Sequence, residues 1–116
     1  MKRQYRLTKT NDFQRVRRLG KSSAHPLLVL VYQANGASFN RWGVVAGKSV
    51  GSAVQRNRAK RVIRAASQLI LNEVKEGWDL ILIARQPLVN ADFDQVQSAL
   101  VQLIKRAGLM REMNDQ

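Results

Sequence analysis

The stretch GSAVQRNRAKRVIRAA, residues 51–66, carries a helix start, an apolar stripe and a run of cations together. Ser52 with Gln55 three residues later matches a capping box, in which two side chains satisfy the orphan backbone donors of a first turn. At about 100° per residue, Ala59, Val62, Ile63, Ala66, Leu69 and Ile70 share one side of the helix that follows. Its pattern runs to about Val74, and Gly77 supplies the stop. Arg56, Asn57, Lys60, Arg61, Arg64 and Gln68 occupy an opposite arc of roughly 140°, with Arg58 near the boundary. Burying the apolar stripe on a sheet therefore turns the cations outward.

No acid occurs from Ser52 to Asn72. Like charges four residues apart, such as Arg56 with Lys60 and Lys60 with Arg64, each cost a few tenths of a kcal/mol in the free protein. A bound polyanion offsets that cost, and four of the five cations from Gln55 to Arg64 are arginine. A guanidinium grips phosphate through two parallel hydrogen bonds or stacks on a base. Asn57 adds a group that both donates and accepts. The front of a helix also favours phosphate through its dipole and free N–H groups.

Outward from this helix the pattern alternates. LTKTNDFQRVRRLG (residues 7–20) reads as a short helix capped by Thr8 or Thr10, with Phe13 and Val16 on its apolar edge and Gly20 at its end. HPLLVLVYQ contains a strand over Leu27–Tyr32, and RWGVVAGK a second over Arg41–Gly47, with Trp42, Val44 and Ala46 on one face. The turn-rich residues 35–40 between them predict an antiparallel hairpin. WDLILIAR holds a strand so uniformly apolar that both faces should be covered, which places it centrally. The last helix starts near Asn90 or Asp92, the latter capped with Gln95, and its stripe is Phe93, Val96, Leu100, Leu103 and Ala107. Gly108 ends it, and LMREMNDQ (109–116) reads as a frayed tail.

The whole chain sets the limits. Its 116 residues, 45% hydrophobic, suit one domain over residues 1–116. Twenty Lys and Arg against eight Asp and Glu give a net charge of +12, which points to nucleic acid. No apolar run approaches the ~20 residues of a membrane span, and MKRQYRLTK lacks a signal peptide's apolar core, so a cytoplasmic protein with no membrane role is expected. Without cysteine and with His25 as the one histidine, thiolate chemistry and Cys or His metal sites drop out. Asp12, Glu73, Glu76, Asp79, Asp92, Asp94, Glu112 and Asp115 are scattered or sit at element ends, most of them reading as caps and surface charges. No metal site or catalytic residue emerges from them.

GSAVQRNRAKRVIRAA resembles the signature of the bacterial ribonuclease P protein component, with Arg56, Asn57 and Arg58 as its Arg-Asn-Arg core and Lys60 and Arg61 following. LTKTNDFQRV, RWGVVAGKSVG and WDLILIAR resemble the family's first helix, the strand leading into the signature and the last strand. The resemblance implies an α/β (α+β sandwich) fold of order αβββαβα, with about four strands in a mixed sheet. It also implies a left-handed βαβ crossover, against the usual hand. The implied activity is assistance to a catalytic RNA subunit that removes the 5′ leader of precursor tRNA. Mg²⁺ held mainly by that RNA and the substrate supplies the chemistry, and no protein partner is required.

Carried over by position, Arg56, Asn57, Arg58, Lys60, Arg61, Arg64 and Lys48 would contact the RNA subunit. A cleft beside the first helix would take the leader, with Phe13 stacking on a base. Where the family commonly has a second aromatic, this chain has Arg17, which can stack or pair with phosphate. Tyr32 either supplies the missing ring or sits in the core. The rivals are a double-stranded RNA-binding domain, disfavoured by a strand after the basic helix, an autonomous nuclease, disfavoured by the scattered carboxylates, and a ribosomal or chromosomal accessory protein.

Overall fold

A computed structural model describes residues 5–112. The order is α1 (Thr10–Leu19), β1 (Lys21–Ala24), β2 (Leu28–Ala34), β3 (Arg41–Val45), α2 (Ala53–Gln68), β4 (Trp78–Ala84) and α3 (Phe93–Arg106). This is the αβββαβα succession of an α+β fold. The four strands lie in the order β1-β2-β4-β3, with β3 parallel to β4 and the other neighbours antiparallel.

The expected hairpin between β2 and β3 does not form, because β4 lies between them. The apolarity of β4 gives the reason. Leu80, Leu82 and Ala84 face one core cluster and Ile81 with Ile83 face the other, so β4 gains burial on both sides only in the middle of the sheet. β1 escaped the strand pattern because its residues are mostly exposed and carry no apolar alternation.

Helices α2 and α3 cover one face of the sheet over the larger core, and α1 covers part of the other. Ala59, Ile63 and Ala66 of α2 are buried as the stripe requires. Leu69, expected on that stripe, is 58% exposed. The helix stops at Gln68 rather than near Val74, since Ile70 turns out of it at φ −119°. The chain there pairs with the C-terminal segment instead: Lys75 N–H donates to Leu109 O at 2.7 Å and Arg111 N–H to Glu73 O at 2.8 Å. Leu109 is buried, so residues 109–111 are packed rather than frayed, and residues 113–116 of the expected tail lie outside the described residues.

Caps fix the helix starts. Reciprocal capping boxes join Ser52 to Gln55 and Asp92 to Gln95. In α1, neither expected threonine caps; Lys9 occupies the N-cap without a side-chain bond. Gly20 closes α1 for reasons of space: a Cβ there would stand 2.5 Å from Val16 O and 2.7 Å from Tyr32 O. In α3, Phe93 is 37% exposed rather than buried with the stripe.

Candidate nucleic-acid interface

The buried side of α2 dictates what its other side shows. Asn57, Arg58, Arg61 and Arg64 are exposed and Arg56 and Lys60 half-buried, while Lys48 is exposed on a 3₁₀ turn just before the helix. Among the described residues none of these cations is ion-paired with a carboxylate. Among those residues the comb is therefore uncompensated. Arg58 has a tether among the described residues: its Nη1 donates to Val89 O at 3.3 Å, which ties the helix to the turn after β4.

On the opposite face of the sheet α1 leaves a groove. Val16 is buried with Val31 and Ile81, but Val29, Ile83 and Val45 beyond them are half-buried and lie in register across β2, β4 and β3. Asp12 and Arg15 occupy the α1 flank that reaches Asp79 at the start of β4. On the other flank Phe13 packs against the cluster of Val16, Val31 and Ile81, and Arg17, four residues on and on the same side of α1, is exposed. Phe13 is seated by Gly43: a Cβ at that position would stand 2.6 Å from Phe13 Cζ. Gly43 backbone carries no left-handed strain, so the glycine serves the ring.

The two surfaces meet at the outer edge of β3, where Leu7 N–H donates to Trp42 O at 2.7 Å. A cavity of about 180 Å³ there is lined by Phe13, Gly43, Arg6 and Arg64 together. Tyr32 does not join them. It lies on the α2 and α3 face, packed on the larger core with its ring edge-on to Trp78 at 5.8 Å. Successive residues of β2 face opposite sides of the sheet, so Val31 points to α1 and Tyr32 away from it. His25 is a turn residue, with Nδ1 accepting from Leu27 N–H at 3.0 Å.

Asp79 departs from the reading of the acids as caps and surface charges. It is fully buried. Arg41 donates to it through Nε at 2.9 Å and Nη2 at 2.7 Å, Arg15 through Nη2 at 2.7 Å and Asn35 through Nδ2 at 3.0 Å. Arg15 also donates to the Gln33 side chain. Burial pushes the Asp79 carboxyl upward, and the hydrogen bonds from Arg41, Arg15 and Asn35 outweigh it, holding the group below the ordinary aspartate range. This cluster withdraws Arg15 and Arg41 from the free cations and locks α1 to the sheet. A single Asp at the start of an apolar strand, with arginines distant in sequence, gave no local pattern from which to foresee it.

With both Asp79 oxygens engaged by cationic donors, that carboxylate is a poor metal ligand. Among the described residues no group of three His, Cys, Asp or Glu side chains converges on a metal position. No helix there is long and apolar enough to cross a membrane.

Comparison with known proteins bears on the family and the fold. The sequence profile of the family described as Ribonuclease P matches residues 1–108. The ribonuclease P protein component of Herpetosiphon aurantiacus is 41% identical over 112 residues, covering 97% of this chain and 91% of the relative. That of Alkaliphilus oremlandii is 38% identical, over 95% of this chain and 96% of the relative. The solved RNase P protein of Staphylococcus aureus superposes with a TM-score of 0.84 at 33% identity, covering 92% of this chain and 98% of that one. The RNase P protein of Thermotoga maritima gives 0.80 at 30% identity, over 87% and 96%. The chain belongs to the ribonuclease P protein family, whose members are the protein components of the tRNA-processing ribonuclease.

Proposed function

We propose that the chain binds the catalytic RNA subunit through the outer face of α2 and the single-stranded 5′ leader of precursor tRNA through the α1 groove, and so assists leader removal in the cytoplasm. The supporting observation is the run of Arg56, Lys60, Arg61 and Arg64 with no intramolecular counter-charge among the described residues. A phosphodiester chain is the partner whose repeating charge suits such a comb. Asn57 and the tethered Arg58 add directional donors beside it. In the groove, Phe13 supplies a ring able to stack on any base, Arg17 a cation beside it, and Val29, Val45 and Ile83 an apolar floor.

In this reading Mg²⁺ is held by the RNA and the substrate and supplies the chemistry, while Asp79 has both oxygens engaged by arginines. Within this proposal the protein is a non-catalytic subunit. It raises substrate affinity and neutralises phosphates that would otherwise repel one another. Arg64, on the cavity shared with Phe13, lies where the two RNA surfaces join.

Cleavage of precursor tRNA at low Mg²⁺ by the catalytic RNA alone, by the protein alone and by their mixture tests the reading. Stimulation confined to the mixture is expected. Cutting by the protein alone would assign the chemistry to the chain and overturn it.

A further inference from the structure

The start of β3 carries a second cavity, of about 380 Å³, a size within the roughly 300–1,000 Å³ of small-ligand sites. Trp42, 4% exposed, forms its floor. Tyr5 and Phe39 stand over it, their rings edge to face at 5.5 Å. Phe39 is 37% exposed. Asn72 lines the cavity from the segment after α2.

The loop presenting Phe39 is held at both ends. Asn35 Nδ2 donates to Asp79 Oδ1 at 3.0 Å and to Phe39 O at 3.2 Å, while Asn35 Oδ1 accepts from Ala37 N–H at 2.8 Å. Asn40 accepts from Trp78 N–H at 2.8 Å and donates to Lys75 O at 2.9 Å. An aromatic ring left open to solvent on an anchored backbone loses little freedom when a flat partner stacks on it.

Charge indicates the partner. Glu76 is the one acid on the lining, and it is paired with Arg111 at 2.8 Å. The neighbouring cavity shares Trp42 and carries Arg6, Phe13 and Arg64. Cations beside an aromatic platform are the means by which single-stranded nucleic acid is held without sequence preference. An apolar peptide side chain would fit the rings and leave the guanidiniums unused.

We propose that this cavity takes an unpaired RNA base stacked on Phe39, with Asn72 facing the base edge and Arg6 near the adjoining phosphate. The proposal rests on the RNA-binding reading above and adds a second stacking site to it. Trp78→Phe leaves Trp42 as the sole indole, and a short single-stranded RNA is titrated against its fluorescence. Quenching is expected, with affinity reduced at least about fivefold by Phe39→Ala, retained in Phe39→Tyr and also weakened by Asn72→Ala. Undiminished affinity in Phe39→Ala with an unchanged melting curve overturns the proposal. So does quenching as strong by duplex RNA, or quenching by an aromatic peptide but not by RNA. Failure of the unsubstituted protein to bind RNA at all would overturn the RNA-binding reading itself.

Discussion

Arg41 and Asp79 face each other in register on the parallel strands β3 and β4, and the guanidinium clasps the carboxylate through two nitrogens at 2.9 and 2.7 Å. Asp79→Asn would leave Arg15 and Arg41 with Asp12, at 3.4 and 3.6 Å, as their remaining counter-charge. Breaking a buried pair in this way costs about 3–5 kcal/mol. The lower end is expected, because those arginine side chains are 32% and 29% exposed and can turn to water. Denaturant unfolding of the two proteins at neutral pH measures the difference.

The same carboxylate sets a pH dependence. Its folded pKa lies below the ordinary 3.8, so between the two values the unfolded chain binds more protons than the native one. Its stabilisation is complete above pH 3.8 and is lost as pH falls through the folded value. The stability gap between the native protein and Asp79→Asn should therefore narrow on acidification below that point. A gap constant down the acid limb would refute the assignment.

The α2 comb should register as salt dependence. Five cations each neutralising a phosphate imply that affinity for the catalytic RNA falls roughly 10²-fold or more from 50 to 200 mM salt. Arg61→Ala or Arg64→Ala should lower the slope of log K against log salt by about one. A flat response in filter binding would exclude a phosphate clamp.

Gly43 and Phe13 should behave as one unit. Gly43→Ala pushes its Cβ into the ring, so it is expected to weaken binding of precursor tRNA but not of leaderless tRNA. In a Phe13→Ala background the same change should be nearly silent. Arg58→Ala, by contrast, should weaken assembly with the RNA subunit. Equal effects of Phe13→Ala and Arg58→Ala on both affinities would contradict the division into two surfaces.

Ser52→Ala removes the acceptor for Gln55 N–H at 3.2 Å. Loss of such a cap costs about 1 kcal/mol, which lowers the melting temperature by roughly 4 °C in a domain of this size. Because the cap also orients the first turn, RNA-subunit affinity measured alongside should fall modestly.

What local pattern encodes was readable beforehand, and what distant residues encode was not. The periodicity of Ala59, Ile63 and Ala66 sufficed to aim the arginines of α2, because one side of a helix determines the other. Both capping boxes followed from three-residue spacings. Strand order did not, since pairing β2 with β4 across residues 35–77 depends on comparing how much each strand buries. Asp79 looked like any acid at a strand start, its partners being 38 and 64 residues away. Tyr32 turned on a single step of alternation, which the apolar run Leu27–Tyr32 leaves ambiguous.

The central position of β4 also governs the order of events during synthesis. β2 and β3 emerge early yet have no hydrogen-bonded neighbour in common until Trp78–Ala84 has been made and slides between them. A nascent chain that already displays its arginine helix thus lacks a finished sheet to hold it until β4 is in place.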